Sequence, residues 1–580
     1  MSSRQNPRKR QDRARLLARL GLALLLASQM GLALDWLSKD RTPAFWDHAS
    51  HGRAALKSGH AIWRDTPPLR GRVLPQAIKE EAIAHPTLAR SILGPIAGPA
   101  NWIEAFYRHA SYPSLPFMVS GLLLPITGNS PDGLALTLGT LWLLAAILAT
   151  YLLAAQAYGE GIGLVAATSL AGMPLALGLG RSLMVDEALI ATTAAAAWLL
   201  IRSRGFCDKP SSLLLGLALG LGLLAKQTFI IVMGPALLWE AAGIWRAHRL
   251  NEPGSAPRWR NLGLALLVTA FVAAPWYVAY LPSMLSDPLR FGLVLDTLRG
   301  ESTGSFSDPW IYPRTLLASS MGPFALGFAI LGSIFLVLKG QPRGTRALLF
   351  GSAAALLFYT LAYPNKGGRF IAAILPIAAL AVAALVHALP SRTLRLSFGC
   401  IVVALSILTT IGTTVTDLGE PEFAIPFMEG RSRWLSLRED RAHPPESADW
   451  GHTQVLEAIR ADHGSGQAQV LILQQGADYH GELMLRVTPG QMSVKDGHAT
   501  DSFHITKETR ELERRQPYHL VVALQHPDST QTKPSHDFEW IAVHERRVLE
   551  QTHDFVKILE LNDLPHDMTV TVYRNKEGAP

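Results

Sequence analysis

Apolar residues along this chain fall into blocks rather than into faces. Runs rich in Ala, Leu and Gly, each about 18 to 25 residues long, are the length a helix needs to cross the hydrocarbon core of a bilayer. The first run covers residues 16–34, and ten more read at 132–156, 161–180, 186–202, 212–226, 227–245, 261–281, 314–338, 345–363, 369–389 and 394–415. This predicts an α-helical polytopic membrane protein with eleven transmembrane helices. After Asp417 the pattern changes to short pieces: a helix near Gln454–Asp462, strands near Gln469–Leu473, His519–Leu524 and Met568–Tyr573, and a charged helix near Ile505–Arg515. A transmembrane domain over 1–416 followed by a soluble α/β domain over 417–580 is the expected organisation.

Charge sharpens this division. Charged residues are only 17% of the 580, against the roughly 25% usual for soluble domains. Residues 1–416 carry a net charge of +17 and residues 417–580 a net charge of −10. The basic residues lie between apolar runs and not along one face, so nucleic acid is excluded as a partner. The two cysteines, Cys207 and Cys400, define no disulfide framework.

Lys and Arg collect in cytoplasmic loops. With the N-terminus in the cytoplasm, they fall in 203–211 (Arg204, Lys209), 246–260 (Arg246, Arg249, Arg258, Arg260), 339–344 (Lys339, Arg343) and 390–395 (Arg392, Arg395). The loop at Tyr158–Gly161 has no basic residue and gives no support. The same alternation places the long segment 35–130, the loops 282–313 and 364–369, and everything after Asp417 outside, which in a bacterium is the periplasm. The first run competes with a cleaved signal peptide, but it is long for that role and no small-residue cleavage site precedes Asp35, so an uncleaved helix is expected. Segment 35–130 is too long for a plain connection. Its apolar stretch Pro113–Gly128 is interrupted by Pro116 and Pro125 and reads as an interfacial or re-entrant helix. Were it a span, the four basic loops would face outward.

Ionisable residues at the edge of apolar runs are costly and therefore candidates for chemistry. Four places qualify, all on the outer side. Phe45-Trp46-Asp47-His48 holds a carboxylate among apolar neighbours, which suits a base that removes a hydroxyl proton, with a helix cap by Asp47 as the alternative. Arg181, Asp186 and Glu187 open another run, either as a charged cluster facing the bundle interior or as acids favoured by the helix dipole. Asn365-Lys366-Gly367-Gly368-Arg369-Phe370 sets two cations beside two glycines, a seat for a phosphate, with snorkelling as the alternative. Lys226, in Leu224-Ala225-Lys226-Gln227, stands on the side where basic residues are disfavoured. The C-terminal region shows no phosphate loop, metal-spaced His/Cys cluster or nucleophile elbow.

In order and topology these motifs resemble the GT-C glycosyltransferases, in the branch of protein O-mannosyltransferases and lipid A aminoarabinose transferases. The resemblance covers residues 1–416. It rests on Trp46-Asp47-His48, Tyr112-Pro113-Ser114-Leu115, Arg181 with Asp186-Glu187, and Leu224-Ala225-Lys226-Gln227. Pro275-Trp276-Tyr277, Asp308-Pro309-Trp310-Ile311-Tyr312, and Asn365 to Phe370 before Leu375-Pro376 complete it. Two departures stand out: His48 occupies the place of a second acid, and Tyr112 and Ser114 replace the usual His and Pro.

The resemblance implies transfer of a sugar, with inversion, from a polyprenyl-phosphate carrier to an extracytoplasmic glycan, lipid or protein acceptor at a bacterial inner membrane. It implies Asp47 as general base, Asp186 as the group orienting acceptor or donor sugar, and Lys366 and Arg369 as stabilisers of the departing lipid phosphate. Arg181 and Lys226 follow as further phosphate-side residues, and Glu187 and His48 as binding residues. The resemblance implies no particular cofactor, and a divalent metal stays open. The competing classes are a transporter or flippase of lipid-linked sugars and a non-catalytic envelope assembly protein. The lack of an internal repeat and the clustering of charge at one membrane face favour the enzyme.

Overall fold

The computed structural model describes residues 7–42, 46–63, 99–107, 112–286, 311–339, 344–361, 368–416, 423–424, 434–435, 441–463, 468–474, 492–496, 518–525, 555–564 and 568–575. They form two compact units: Met1–Ser38 with Ala54–Pro444, and Lys39–Arg53 with Pro445–Pro580.

Among the described residues the first unit is almost entirely helical, and each of the eleven apolar runs falls mainly on helix. Six helices among the described residues are long and apolar enough to cross a membrane: Asp12–Lys39, Pro131–Tyr158, Phe229–Arg249, Ser255–Tyr280, Gly368–Ala388 and Arg392–Thr414. Two runs differ from a simple span. Run 161–180 divides into Glu160–Ala171 and Pro174–Leu179. Met173 is extended, with φ −77° and ψ 124°, because a residue before proline is pushed out of the helical region. Run 314–338 is interrupted at Met321-Gly322, where Gly322 at φ +78° makes a turn other residues resist before Pro323 restarts the helix. The stretch 113–128 forms the 13-residue helix Leu115–Thr127, too short to span unaided.

Helix Leu375–Ala388 is the centre of the bundle, nearly all of it buried. Helix Pro323–Leu338 lies so close that a Cβ at Gly332 would collide with the Ala381 carbonyl oxygen. Such small-residue contacts replace the hydrophobic drive that lipid cannot supply between helices. At the end of the bundle where the first helix begins, Arg19 binds Glu160 through Nε at 3.2 Å and Nη2 at 2.8 Å. Tyr158 stacks on His387 there, ring centres 4.8 Å apart. The loop at Tyr158–Gly161 therefore shares a face with the basic start of the first helix and with the turn before Arg392. Asp208 caps helix Lys209–Ala225, accepting from the Ser211 N–H at 2.9 Å.

In the second unit, Asp40 accepts from the Glu446 N–H at 3.0 Å and the Arg41 N–H donates to the Glu446 carbonyl at 2.6 Å. The first unit holds the short antiparallel pair β1 (Phe423–Ala424) and β2 (Trp434–Leu435), and the second a five-stranded mixed sheet in the order β4 (Met492–Asp496), β3 (Ala468–Gln474), β5 (Tyr518–Gln525), β7 (Met568–Asn575), β6 (Phe555–Leu564). β3 pairs parallel with β4 and β5, while β7 pairs antiparallel with β5 and β6. Helix His452–His463 begins at Gly451, at φ +74°, beside Leu561 of β6, and Arg574 of β7 holds Asp462 at 2.8 Å. Helix and sheet make the expected α/β domain. β4 and β6 go beyond the strands expected from the sequence, and the helix expected near Ile505–Arg515 lies outside the described residues.

Candidate active site

The turn carrying Arg181, Asp186 and Glu187 is fixed through its backbone. It connects helix Pro174–Leu179 to helix Asp186–Arg202 and lies on a π turn, Leu136–Thr140, inside helix Pro131–Tyr158. Thr140 Oγ1 donates to the Gly180 carbonyl at 2.8 Å, and Ser182 Oγ donates to the Leu179 carbonyl at 3.0 Å. A Cβ on Gly139 would lie 2.7 Å from the Ser182 carbonyl oxygen and 2.8 Å from that of Gly180, so only glycine lets the turn settle there. Arg181 is 2% exposed, and Asp186 and Glu187 are fully buried.

Lys226 follows helix Lys209–Ala225 in an extended conformation and is itself buried. Its Nζ donates to Asp186 Oδ1 at 2.5 Å and stands 5.4 Å from the centre of the Phe370 ring. Arg369 opens the 3₁₀ turn Gly368–Ile374 and places its Cζ 5.3 Å from the same ring, with Nη1 3.8 Å from Met184 Sδ. Two cations thus flank one aromatic ring beside two acids. Asp186 Oδ2 and both Glu187 carboxylate oxygens have no hydrogen-bond partner among the described residues. Taking two charges from water costs several kcal/mol per ion and favours a close pair only partly. A buried pair kept next to orphaned carboxylate oxygens is therefore a poor way to stabilise a bundle and a sound way to place charge.

A second charged group adjoins Arg181. Trp36, near the end of the first long helix, has the Arg181 Cζ 5.4 Å and the Arg441 Cζ 5.7 Å from its ring. Its indole N–H donates to the His443 carbonyl at 2.7 Å, and Arg441 Nη1 donates to the Arg181 carbonyl at 3.4 Å. Sequence reasoning missed Trp36, Arg441 and His443. Trp36 reads as an ordinary interfacial aromatic, and residues 441–443 lie in a polar stretch with no periodicity.

Of the expected site residues, Arg181, Asp186, Glu187, Lys226 and Arg369 come together in the first unit. Asp47 lies in the first turn of helix Trp46–Ile62, but its side chain is outside the described residues, as is the whole of Lys366. His48 is buried on that same helix, in the second unit, where burial pushes the neighbouring Arg53 guanidinium below its usual value. Among the described residues no group of three or more His, Cys, Asp or Glu side chains gathers to hold a metal ion.

Residues 111–277, which include Arg181, Asp186, Glu187 and Lys226, match the family model of the dolichyl-phosphate-mannose-protein mannosyltransferases. No curated protein matches the chain. Among solved structures it is similar to ArnT from Cupriavidus metallidurans bound to undecaprenyl phosphate, at 12% identity and a TM-score of 0.57, over 96% of this chain and 99% of that one. The apo state of ArnT aligns at 12% identity and a TM-score of 0.54, over 97% and 100%. The chain is a multi-pass membrane protein with the fold of ArnT.

Proposed function

We propose that this protein is an integral-membrane, inverting glycosyltransferase. It moves a sugar from a polyprenyl-phosphate carrier to an acceptor hydroxyl on the extracytoplasmic side of a bacterial inner membrane, its N-terminus in the cytoplasm and residues 417–580 outside. The observation that carries this reading is the cluster of buried Asp186, Glu187, Lys226 and Arg181 with half-buried Arg369, drawn from segments 188 residues apart in sequence (Arg181 to Arg369) within the ArnT fold. The likeness to a protein that holds undecaprenyl phosphate supports a carrier of that kind.

In this mechanism Asp47 takes the acceptor hydroxyl proton as that oxygen attacks the anomeric carbon. The bond to the carrier phosphate breaks on the opposite face, and the phosphate leaves with the bonding pair. Arg369 and Lys366 stabilise its growing negative charge, which is larger in the transition state than in the ground state. Asp186, held by Lys226, orients the sugar, and Glu187 and His48 bind substrate. Arg181 adds positive charge on the phosphate side.

The test is turnover of a panel of polyprenyl-phosphate sugars by the full chain in lipid nanodiscs, with an envelope extract as acceptor and mass spectrometry as readout. Wild type is expected to release the carrier phosphate and to add the sugar mass to an acceptor, while Asp47→Asn, an isosteric change that removes the base, loses at least about a hundredfold in rate. Carrier that binds without being consumed by either protein overturns the transferase reading in favour of a translocating or assembly role.

A further inference from the structure

Arg181 and Arg441 are 260 residues apart in sequence, yet their guanidinium groups lie on one indole ring, Trp36, and both are almost fully buried. Specific contacts set how the two cations meet on that ring. Arg441 reaches the Arg181 carbonyl with Nη1, and the His443 carbonyl accepts the Trp36 N–H. His443 also meets the Trp36 ring edge-on, centres 5.6 Å apart. Residues 441–443 therefore grip both the backbone of Arg181 and the ring on which its side chain rests. Thr140 and Gly139 meet the backbone of that turn at Gly180 and Ser182, and Arg441 and Trp36 meet it at Arg181.

We infer that Arg441 is a positioning residue that acts through Arg181, aiming that cation at the carrier phosphate. The inference rests on the reading of a polyprenyl-phosphate donor. Arg441 need not touch the lipid itself; its effect passes through Arg181 and vanishes without it.

A double-mutant cycle on undecaprenyl phosphate binding tests this, with the full chain in nanodiscs and native mass spectrometry as readout. Arg441→Gln is expected to weaken binding roughly tenfold, the size of one lost charge-assisted hydrogen bond. In an Arg181→Gln background, itself weakened, the same change is expected to do nothing further. A merely structural role predicts equal losses in both backgrounds, and that result overturns the inference. So does unchanged binding in Arg441→Gln or in Arg181→Gln, while the donor reading survives. Wild type that does not bind the lipid overturns the donor reading and the inference with it. Where Arg441→Gln does not fold by size exclusion, Trp36→Phe decides. It keeps a ring but drops the donor to His443, and a weakening that persists without Arg181 overturns the inference.

Discussion

The first long helix carries a charged contact near each of its ends, and the two are built in opposite ways. Arg19 and Trp36 are about 25 Å apart along the axis at 1.5 Å per residue. Near the start, the Arg19 side chain is 67% exposed and meets Glu160 in a pair that water screens. Near the finish, Trp36 faces Arg181 and Arg441, in the same unit as the buried pair of Asp186 and Lys226. Exposed pairs of the first kind contribute about 0–1 kcal/mol and chiefly report where the membrane surface lies. Buried charges of the second kind cost stability, and what they return is a field at a fixed place. One end carries an exposed ion pair and the other buried charges held in place.

The sharpest way to break this contrast is Lys226→Ala, which leaves Asp186 buried without its cation. A loss of about 3–5 kcal/mol is expected, read as a lower melting temperature of the purified protein. Replacing both partners, as Asp186→Leu with Lys226→Met, is expected to recover most of that stability and none of the turnover. If the double replacement is as unstable as the single one, the pair is structural after all. Arg19→Ala should change stability by no more than about 1 kcal/mol and leave turnover untouched. A large loss of activity there would erase the distinction between the ends.

The smallest expected effect belongs to the loop between helices Asp186–Arg202 and Lys209–Ala225. Hydrogen bonds from Ser211 hold the Asp208 carboxyl below its ordinary value. A carboxyl with a depressed folded-state value stabilises above its unfolded value, and that stability fades as pH falls through the folded one. The melting temperatures of wild type and Asp208→Asn should therefore differ slightly at neutral pH and converge below about pH 4. A gap that is constant across this window would remove the carboxylate from the account of the cap.

Much of this molecule was legible before any coordinates. Apolar runs of spanning length become helices because nothing in lipid satisfies a backbone except itself. The cost of charge near such runs singled out Arg181, Asp186, Glu187, Lys226 and Arg369. What could not be read was who meets whom. Lys226 and Asp186 are 40 residues apart, and only the packing of helices Asp186–Arg202 and Lys209–Ala225 makes them partners. The breaks at Met173 and Gly322 were written in Gly172, Pro174 and Pro323, but long hydrophobicity outweighed those signals. Arg441 and His443 lay hidden because a polar stretch shows no period that would separate a contact from a linker. The missing basic residue at Tyr158–Gly161 has a local answer: Glu160 takes its positive partner from the first helix.

The apolar run of the first helix, residues 16–34, is about 28 Å long, close to the thickness of a bilayer's hydrocarbon core. Trp36 stands two residues beyond it, and Arg181 and Arg441 rest on Trp36. Their depth is thereby tied to the hydrophobic length of one helix. A thicker membrane draws this ring toward the acyl chains and a thinner one lifts it toward the headgroups, so lipid chain length becomes a variable of the site itself.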